Sequence, residues 1–473
     1  MTAVIHQFSN YYPLRTTMKK TIINVFSTLA AVALSSVSVY AAGTDTWVGN
    51  TDANWSTAAN WTTSGGSTPP ANGDSLVFGA AGSAGASLNN DISGLTVNNI
   101  NLNGPGSFTF GVNGLALNGT LTAAATVNET FSGGITIGSD VATAIKNTGS
   151  GTLALGALSE NSGGTVDFLI NGPITTTTAN VNGILGGWAT TNNSVSSATV
   201  GGWAANDGSG NIISYAGYTA GVPSGVNNTG NYRGGNANVA ANATVNSFVF
   251  DGSGDVTINN GVTLTLSSGG LFIGGTQRWL KAGNSTSTIK SGLATGEIYL
   301  HCNNGTFTDF QIQPVIADGS VATKLIKDGP GVLKFASNVK TYTGGTVVNG
   351  GTLALNVGGG TGSIRGTATV NPGATLGLIA IDAVGYNAGV CVNTLNVVGG
   401  TVANSSGGNE GFIMNLNLTG GTVTSTGGNY VFSGGYGISS LASPLTSLIS
   451  APLNIQARAR LMSPKEARPA ATT

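Results

Sequence analysis

Apolar residues fall at every second position in "SFTFGVNGLALNGTLT" (107–122), "GTLALGAL" (151–158), "GVTLTLSSGGLFIGG" (261–275) and "GTLALNVGG" (351–359). That alternation is the signature of a strand with one face buried. It predicts that Leu153 with Leu155, Leu264 with Leu266 and Leu353 with Leu355 point inward. Gly-Gly, Asn-Gly and Gly-Pro-Gly steps punctuate the runs and supply turns. No long stretch carries the 3.6-residue periodicity of an amphipathic helix.

The runs also recur at a spacing. A Gly/Ala-Thr-apolar opening returns at Thr352, Thr375, Thr401 and Thr422, in steps of 23, 26 and 21 residues. Periods in the twenties mean that one supersecondary unit stacks on the next. Strands that return without an intervening helix predict an all-β chain wound as a parallel β-solenoid. Each coil would lie ~4.8 Å above the last over a continuous apolar ladder. Leucine-rich repeats share the period but not the pattern, and propellers need blades of ~40–50 residues. Within 329–355, "GPGVLKF" and "GGTLAL" read as consecutive faces of one coil, with glycines at the corners that need positive φ.

Composition agrees. Gly contributes 75 of 473 residues, and charged residues only 7%, against a usual ~25%. Between residues 42 and 457 there are 17 acidic and 10 basic side chains. A mildly acidic body lacks the basic face that nucleic-acid binding requires. No later segment is long and apolar enough to span a bilayer as a helix, so the mature chain is expected without a membrane span.

"MKKTIINVFSTLAAVALSSVSVYAAG" opens at Met18 with a positive Lys19-Lys20 region, an apolar stretch and Val39-Tyr40-Ala41 before a cleavage point. Residues 1–41 therefore read as a secretory signal peptide whose true start is Met18. Residues 42–445 read as the exported body.

The segment "LIKDGPGVLKFASNVKTYTGGTVVNGGTLAL" (325–355) resembles the autotransporter-associated β-strand repeat, also called the passenger-associated transport repeat. Lys327, Gly329, Gly331 and Leu333 match its first strand, and Tyr342, Gly344, Gly345 and Thr346 match its turn. Gly350, Gly351, Thr352 and Leu353 match its second strand, placing the repeat at about 324–356. Lys340 stands where the repeat usually has Asn, with Asn338 displaced. "WVGNTDANWSTAANWTTSGGSTPPANGDSLVFG" (47–79) and the "GGWA" segments near 186 and 201 are similar to other parts of large passenger-like proteins. The resemblance implies a right-handed parallel β-helix, exported and displayed at the cell surface or secreted. It implies an outer-membrane translocator or secretion machinery as partner, and a repeat that assists folding during passage. It implies no catalytic residues. Extracellular polysaccharide or cell-surface components are the further partners considered.

Residues 446–473 depart from that pattern. Arg458, Arg460, Lys465 and Arg468 cluster there with Pro452, Pro464 and Pro469, and no translocator barrel follows. The tail is expected to be irregular, as from a truncated or frameshifted gene.

Reactive candidates are few. His301 is the only histidine after the leader, and no Gly-x-Ser-x-Gly elbow accompanies it, so it is expected as a polar residue at a strand edge. "DGSGDVTIN" (251–259) and "NDGSGN" (206–211) offer Asp251, Asp255 and Asp207, but the place of an EF-hand glutamate is Tyr218. No cofactor is expected, with calcium at these loops the one ion considered. "NVGGGTGSIRG" (356–366) lacks the lysine of a phosphate loop and reads as a corner. Trp47, Trp55 and Trp61 are expected to cap the first coil, a sugar-stacking platform being the alternative. Cys302 and Cys391 lie about four coils apart and are expected to stay unpaired. The sequence reading is thus a non-catalytic passenger with an adhesin, matrix or scaffold role. The alternative is a β-helical polysaccharide lyase or hydrolase, which needs carboxylates converging on one cleft.

Overall fold

The computed structural model describes residues 42–462, except 67, 193–200, 276–277, 304–309, 413, 433–436, 444 and 456–459. The leader and residues 463–473 lie outside the described residues. Among the described residues there is no α-helix, only a single 3₁₀ turn at Ala58–Asn60. Among the described residues no helix is long and apolar enough to cross a membrane.

Strands stack in parallel into a β-solenoid. The expected repeat is seen in its register: Thr352 lies beside Thr375, Thr375 beside Thr401, and Thr401 beside Thr422. The inward leucines are where alternation puts them. Leu153, Leu155, Leu264, Leu266, Leu353 and Leu355 are all fully buried. One expectation is corrected. Strands Val332–Phe335 and Thr352–Leu355 pair in parallel, Leu333 beside Leu353. They form the same face of two successive coils, not consecutive faces of one. The return to the other broad sheet is made by Thr346–Val348, which pairs with Lys324–Asp328.

The coils divide into two stacks with separate cores. Strands from Thr44 to Ser214 build sheets of ten, five and four strands around one apolar cluster. Strands from Thr219 onward build sheets of fourteen, ten and three strands around another. The first stack is closed at both ends by antiparallel pairing. Trp61–Ser64 pairs antiparallel with Thr44–Trp47 at one end. At the other, Gly202–Asn206 pairs antiparallel with Ala189–Thr191 and with Ile212–Ser214. Antiparallel edges end the parallel coiling and allow the chain to leave and start the second stack.

The stacks lie side by side with their axes antiparallel. Asn182 contacts Asn246 at 3.1 Å, Gly163 donates to Glu297, and Asp140 contacts Lys324 and Asn371, so numbers fall on one stack as they rise on the other. Strands at this junction bury both faces. In Glu297–Asn303 every residue is buried, with Ile298, Leu300 and Cys302 in the core and Tyr299 and His301 meeting the first stack. Ile184, Trp203, Val249 and Phe272 form a small apolar cluster between the stacks.

The tail expectation also needs correction over its first part. Leu448–Ser450, Leu453–Ile455 and Arg460–Met462 pair in parallel with the preceding coil. They form one more coil, and its Leu448, Leu453 and Ile455 are exposed. Pro452 falls in the turn between two of these strands, where its missing N–H costs no ladder bond.

Candidate functional site

The segment 324–355 spans one coil of the second stack and the first two strands of the next, and its motif residues converge on one corner. Lys327 lies on Lys324–Asp328 with Leu325, both pointing into the coil. Its ammonium is wholly buried and donates to the carbonyls of Gly329, Gly331 and Gly350, each at 2.7 Å. Three donors meet three acceptors, so neither the cation nor the carbonyls are left unsatisfied. Two of those carbonyls belong to the turn that follows Lys327, and the third to the next coil. Burial lowers the lysine from 10.5 to about 8, opposed by the nearby Cys302 and Asp328.

The glycine positions follow from this closeness. At Gly351 φ is +55°, and a Cβ would sit 2.5 Å from the carbonyl oxygens of both Gly329 and Gly331. Any side chain there would press on the carbonyls that hold the ammonium. Gly344 donates to the carbonyl of Thr323 at 2.8 Å, and the Gly345 carbonyl accepts from Leu325 at 2.9 Å. The Tyr342 hydroxyl lies 2.5 Å from Thr346 Oγ1, both buried, which fixes the turn onto the strand that follows it. Thr352 donates its N–H to Gly331 at 3.1 Å, while Leu333 and Leu353 stack in the core.

Lys340, where the repeat usually has Asn, makes a second buried ammonium site. It donates to the carbonyl of Asn338 at 2.8 Å and to those of Gln313 and Ala336 at 3.3 and 3.4 Å. It also sits 5.2 Å over the Phe335 ring. Burial lowers it to about 7. The displaced Asn338 donates to Gln313 at 3.1 Å. The departure from the motif is thus absorbed by a residue that closes the corner with its own amine.

An ammonium held by three carbonyls has no lone pair to offer, and Cys302 beside it is pushed up to about 11 by burial. The corner is a staple between coils rather than a reactive centre.

The remaining candidates are placed as follows. His301 is not at an exposed edge; it is fully buried between the stacks. Its Nε2 lies 2.8 Å from the Gly187 carbonyl and its Nδ1 3.6 Å from Asp328. Burial works to raise the Asp328 carboxyl, but the bonds and charge of His301, with Gly329 and Thr165, hold it below the usual range. Asp251 pairs with Arg233 at 2.5 Å and Asp255 with Lys281 at 2.7 Å. Asp207 accepts from Ser209 and Asn211 of its own loop. The segment 356–366 joins Thr352–Leu355 to Gly366–Val370 as a corner. Trp47, Trp55 and Trp61 are buried against each other and Phe78, with Trp55 and Trp61 edge to face at 5.8 Å. They cap the core, and no flat face is left for a sugar.

One grouping has no counterpart in the sequence reading. The stack junction brings Glu160, Tyr299 and Glu297 together: the Tyr299 hydroxyl donates to Glu160 at 3.3 Å, and Glu297 accepts from Ser162 Oγ and the Gly163 amide. The partners are more than a hundred residues apart, so spacing along the chain carries no signal for them.

Residues 325–355 match the family described as the passenger-associated-transport-repeat. No curated protein and no solved structure matches the chain. The two-coil staple centred on Lys327 is therefore the structure of one such repeat.

Proposed function

We propose that the chain is an exported, non-catalytic passenger, displayed at the cell surface or secreted, in which the 325–355 repeat assists folding once the polypeptide has crossed the outer membrane. The observation that carries this reading is the Lys327 staple inside the matched repeat. A parallel solenoid forms coil by coil, and its costly step is fixing the first pair of strands before others can stack. Two coils cross-linked by one ammonium, with turns preset by Gly329, Gly345 and Gly351, form a local nucleus of this kind. The same repeat links the chain to passage through the outer membrane, and a translocator is the partner that reading requires.

The exposed surface supports a scaffold or adhesive role over catalysis. An open groove of about 730 Å³ on the first stack is lined by Thr130, Phe131, Thr175, Thr176, Thr177, Asn206 and small residues, with no carboxylate, histidine or cation among them. Hydroxyls and amides of that kind suit broad contact with a polar surface such as polysaccharide.

Fractionation of cells expressing the whole gene tests the proposal. The chain should be cleaved by protease added to intact cells, and replacing Lys327 by Met should leave synthesis intact but lower the surface-exposed fraction severalfold. Retention of the wild-type chain inside the cell would overturn it.

A further inference from the structure

The groove of about 730 Å³ on the first stack is shaped by equivalent positions of successive coils. In the five-stranded sheet Thr130 lies beside Ala154, and Ala154 beside Thr175. Alternation turns these three outward, because Phe131, Leu153, Leu155 and Ile174 next to them fill the core. The coils on either side bring threonine, whereas the middle coil offers only Ala154, Gly156 and Ala157 and so forms a low floor. Gly156 is held to that size: its φ is +64°, and a Cβ would stand 2.4 Å from the Phe131 carbonyl oxygen. The trough therefore follows the stack axis for two coil steps, roughly 10 Å at ~4.8 Å each.

One end is closed by the loop 206–210. The Gly210 carbonyl accepts from the Thr176 amide at 2.8 Å, and Asn211 bridges to Thr175. Asn206 Oδ1 accepts from the amides of Gly208 and Gly210, and Asp207 Oδ1 from those of Ser209 and Asn211. This wall is in place before any ligand arrives, which lowers the cost of binding. At the other end the line of outward positions continues through Thr109 to Ser87, both exposed.

The lining leaves hydroxyls to spare. Thr176 Oγ1 donates to the Gly156 carbonyl, and the Asn206 amide is taken by Thr176, Thr178 and its own loop. In contrast, the hydroxyls of Thr130, Ser132, Thr175, Thr177 and Ser209 make no hydrogen bond among the described residues. Each can both donate and accept. No lining residue is charged, so an anionic ligand would meet no cation. The strands Glu129–Phe131 and Leu153–Ala154 are paired on both sides, so a peptide would meet no open sheet edge.

We propose that this groove binds an uncharged oligosaccharide laid along the stack axis. Its hydroxyls would meet those of Thr130, Ser132, Thr175, Thr177 and Ser209, and the C–H face of a ring would rest on Ala154 and Ala157. The volume lies within the roughly 300–1,000 Å³ of small-ligand clefts. The proposal rests on the adhesive reading above and gives it a site and a ligand class.

Titration calorimetry on the purified whole chain tests this with cellohexaose, maltohexaose, mannohexaose and chitohexaose, and with hexagalacturonate as the anionic counterpart. At least one neutral compound should bind about tenfold tighter than hexagalacturonate. Its affinity should not change as salt is raised, since no charges are paired. Ala154→Trp fills the floor and should abolish binding. The double variant Thr130→Val, Thr175→Val keeps the shape, removes two hydroxyls and should weaken binding about tenfold. No binding of any neutral compound, tighter binding of hexagalacturonate, or undiminished binding by the double variant would each overturn the proposal. Should Ala154→Trp fail to fold, the double variant and the neutral-to-anionic ratio decide it. The measurement involves no cells, so its failure is distinct from a failure of export.

Discussion

Lys327 Nζ donates to the Gly350 carbonyl at 2.7 Å, joining one coil to the next through a fully buried cation. Replacing Lys327 by Met preserves length and apolar contact but leaves the Gly329 and Gly350 carbonyls without their donor, while the Gly331 carbonyl keeps only the Thr352 N–H. Each buried acceptor left unmade costs about 1–3 kcal/mol, so the variant should be destabilised by several. Gly351→Ala should also destabilise, because its Cβ would push the same carbonyls apart. Urea unfolding of both variants checks this, and midpoints equal to that of the parent would remove the staple from the account.

Leu353 stacks between Leu333 and Leu376 in the second core. Leu353→Asp would place a carboxylate among apolar neighbours with no partner, at a cost of at least about 3 kcal/mol. A conservative substitution at the half-buried start of the same strand, Thr352→Ser, should change little. Thermal melts of the pair provide the comparison, and similar curves would mean the inward face is wrong.

Where a feature depends on residues close in sequence, alternation and spacing reveal it. The threonine ladder at 352, 375, 401 and 422 is read from the chain and found in register, because each coil has only one way to bury its leucines. The pairing of the two stacks is not read, because it rests on contacts such as Ser162 with Glu297, 135 residues apart. Its trace is a loss of alternation: "EIYLHCN" buries Glu297, His301 and Asn303 beside Leu300 and Cys302, as a strand covered on both faces must. The last coil was missed for the opposite reason. Its strands are short and largely exposed, so the basic residues and prolines around them outweighed a weak alternation. At the repeat, motif positions were legible but their joint purpose was not, since carbonyl acceptors carry no residue signature.

Buried acids and buried amines together shape the dependence of stability on pH. Glu129 and Glu410 open the strands "ETF" and "EGF", and each accepts a backbone N–H from the preceding coil, from Phe108 and Ala383 respectively. Burial pushes them from 4.5 up to about 7 and about 8. Between 4.5 and those values the folded chain holds protons that the unfolded chain has released, so stability falls as pH rises. Lys340 and Lys327 are lowered from 10.5 to about 7 and about 8, so from there to 10.5 the unfolded chain holds the extra proton and stability rises again. Melting temperature should therefore pass through a minimum near pH 7–8. The double variant Glu129→Gln, Glu410→Gln should make the acid side shallower and leave the basic side unchanged. A parent profile that rises steadily from pH 5 to 8 would contradict the buried, neutral carboxyls.

Cys302 and Cys391 remain thiols in spite of the oxidising surroundings that export would bring. Ordinarily two cysteines in an exported chain read as a bridge. Here the sheet sets their distance. From Glu297–Asn303 the order runs through Lys324–Asp328, Thr346–Val348 and Gly366–Val370 to Val392–Val398, four steps along the fourteen-stranded sheet. At ~4.8 Å per step the two lie roughly 19 Å apart along the axis, and a disulfide needs Cα atoms within ~7 Å. Both are buried, and burial raises both thiols, Cys302 to about 11 with Lys327 opposing. The thiolate that would attack an oxidant is therefore scarce at neutral pH. Two free thiols should be titrated by Ellman's reagent in denatured, unreduced protein, and almost none in the native state over the same minutes. Mapping of a bridge between them by mass spectrometry would require the three intervening coils to leave the stack, and so would break the register on which the fold rests.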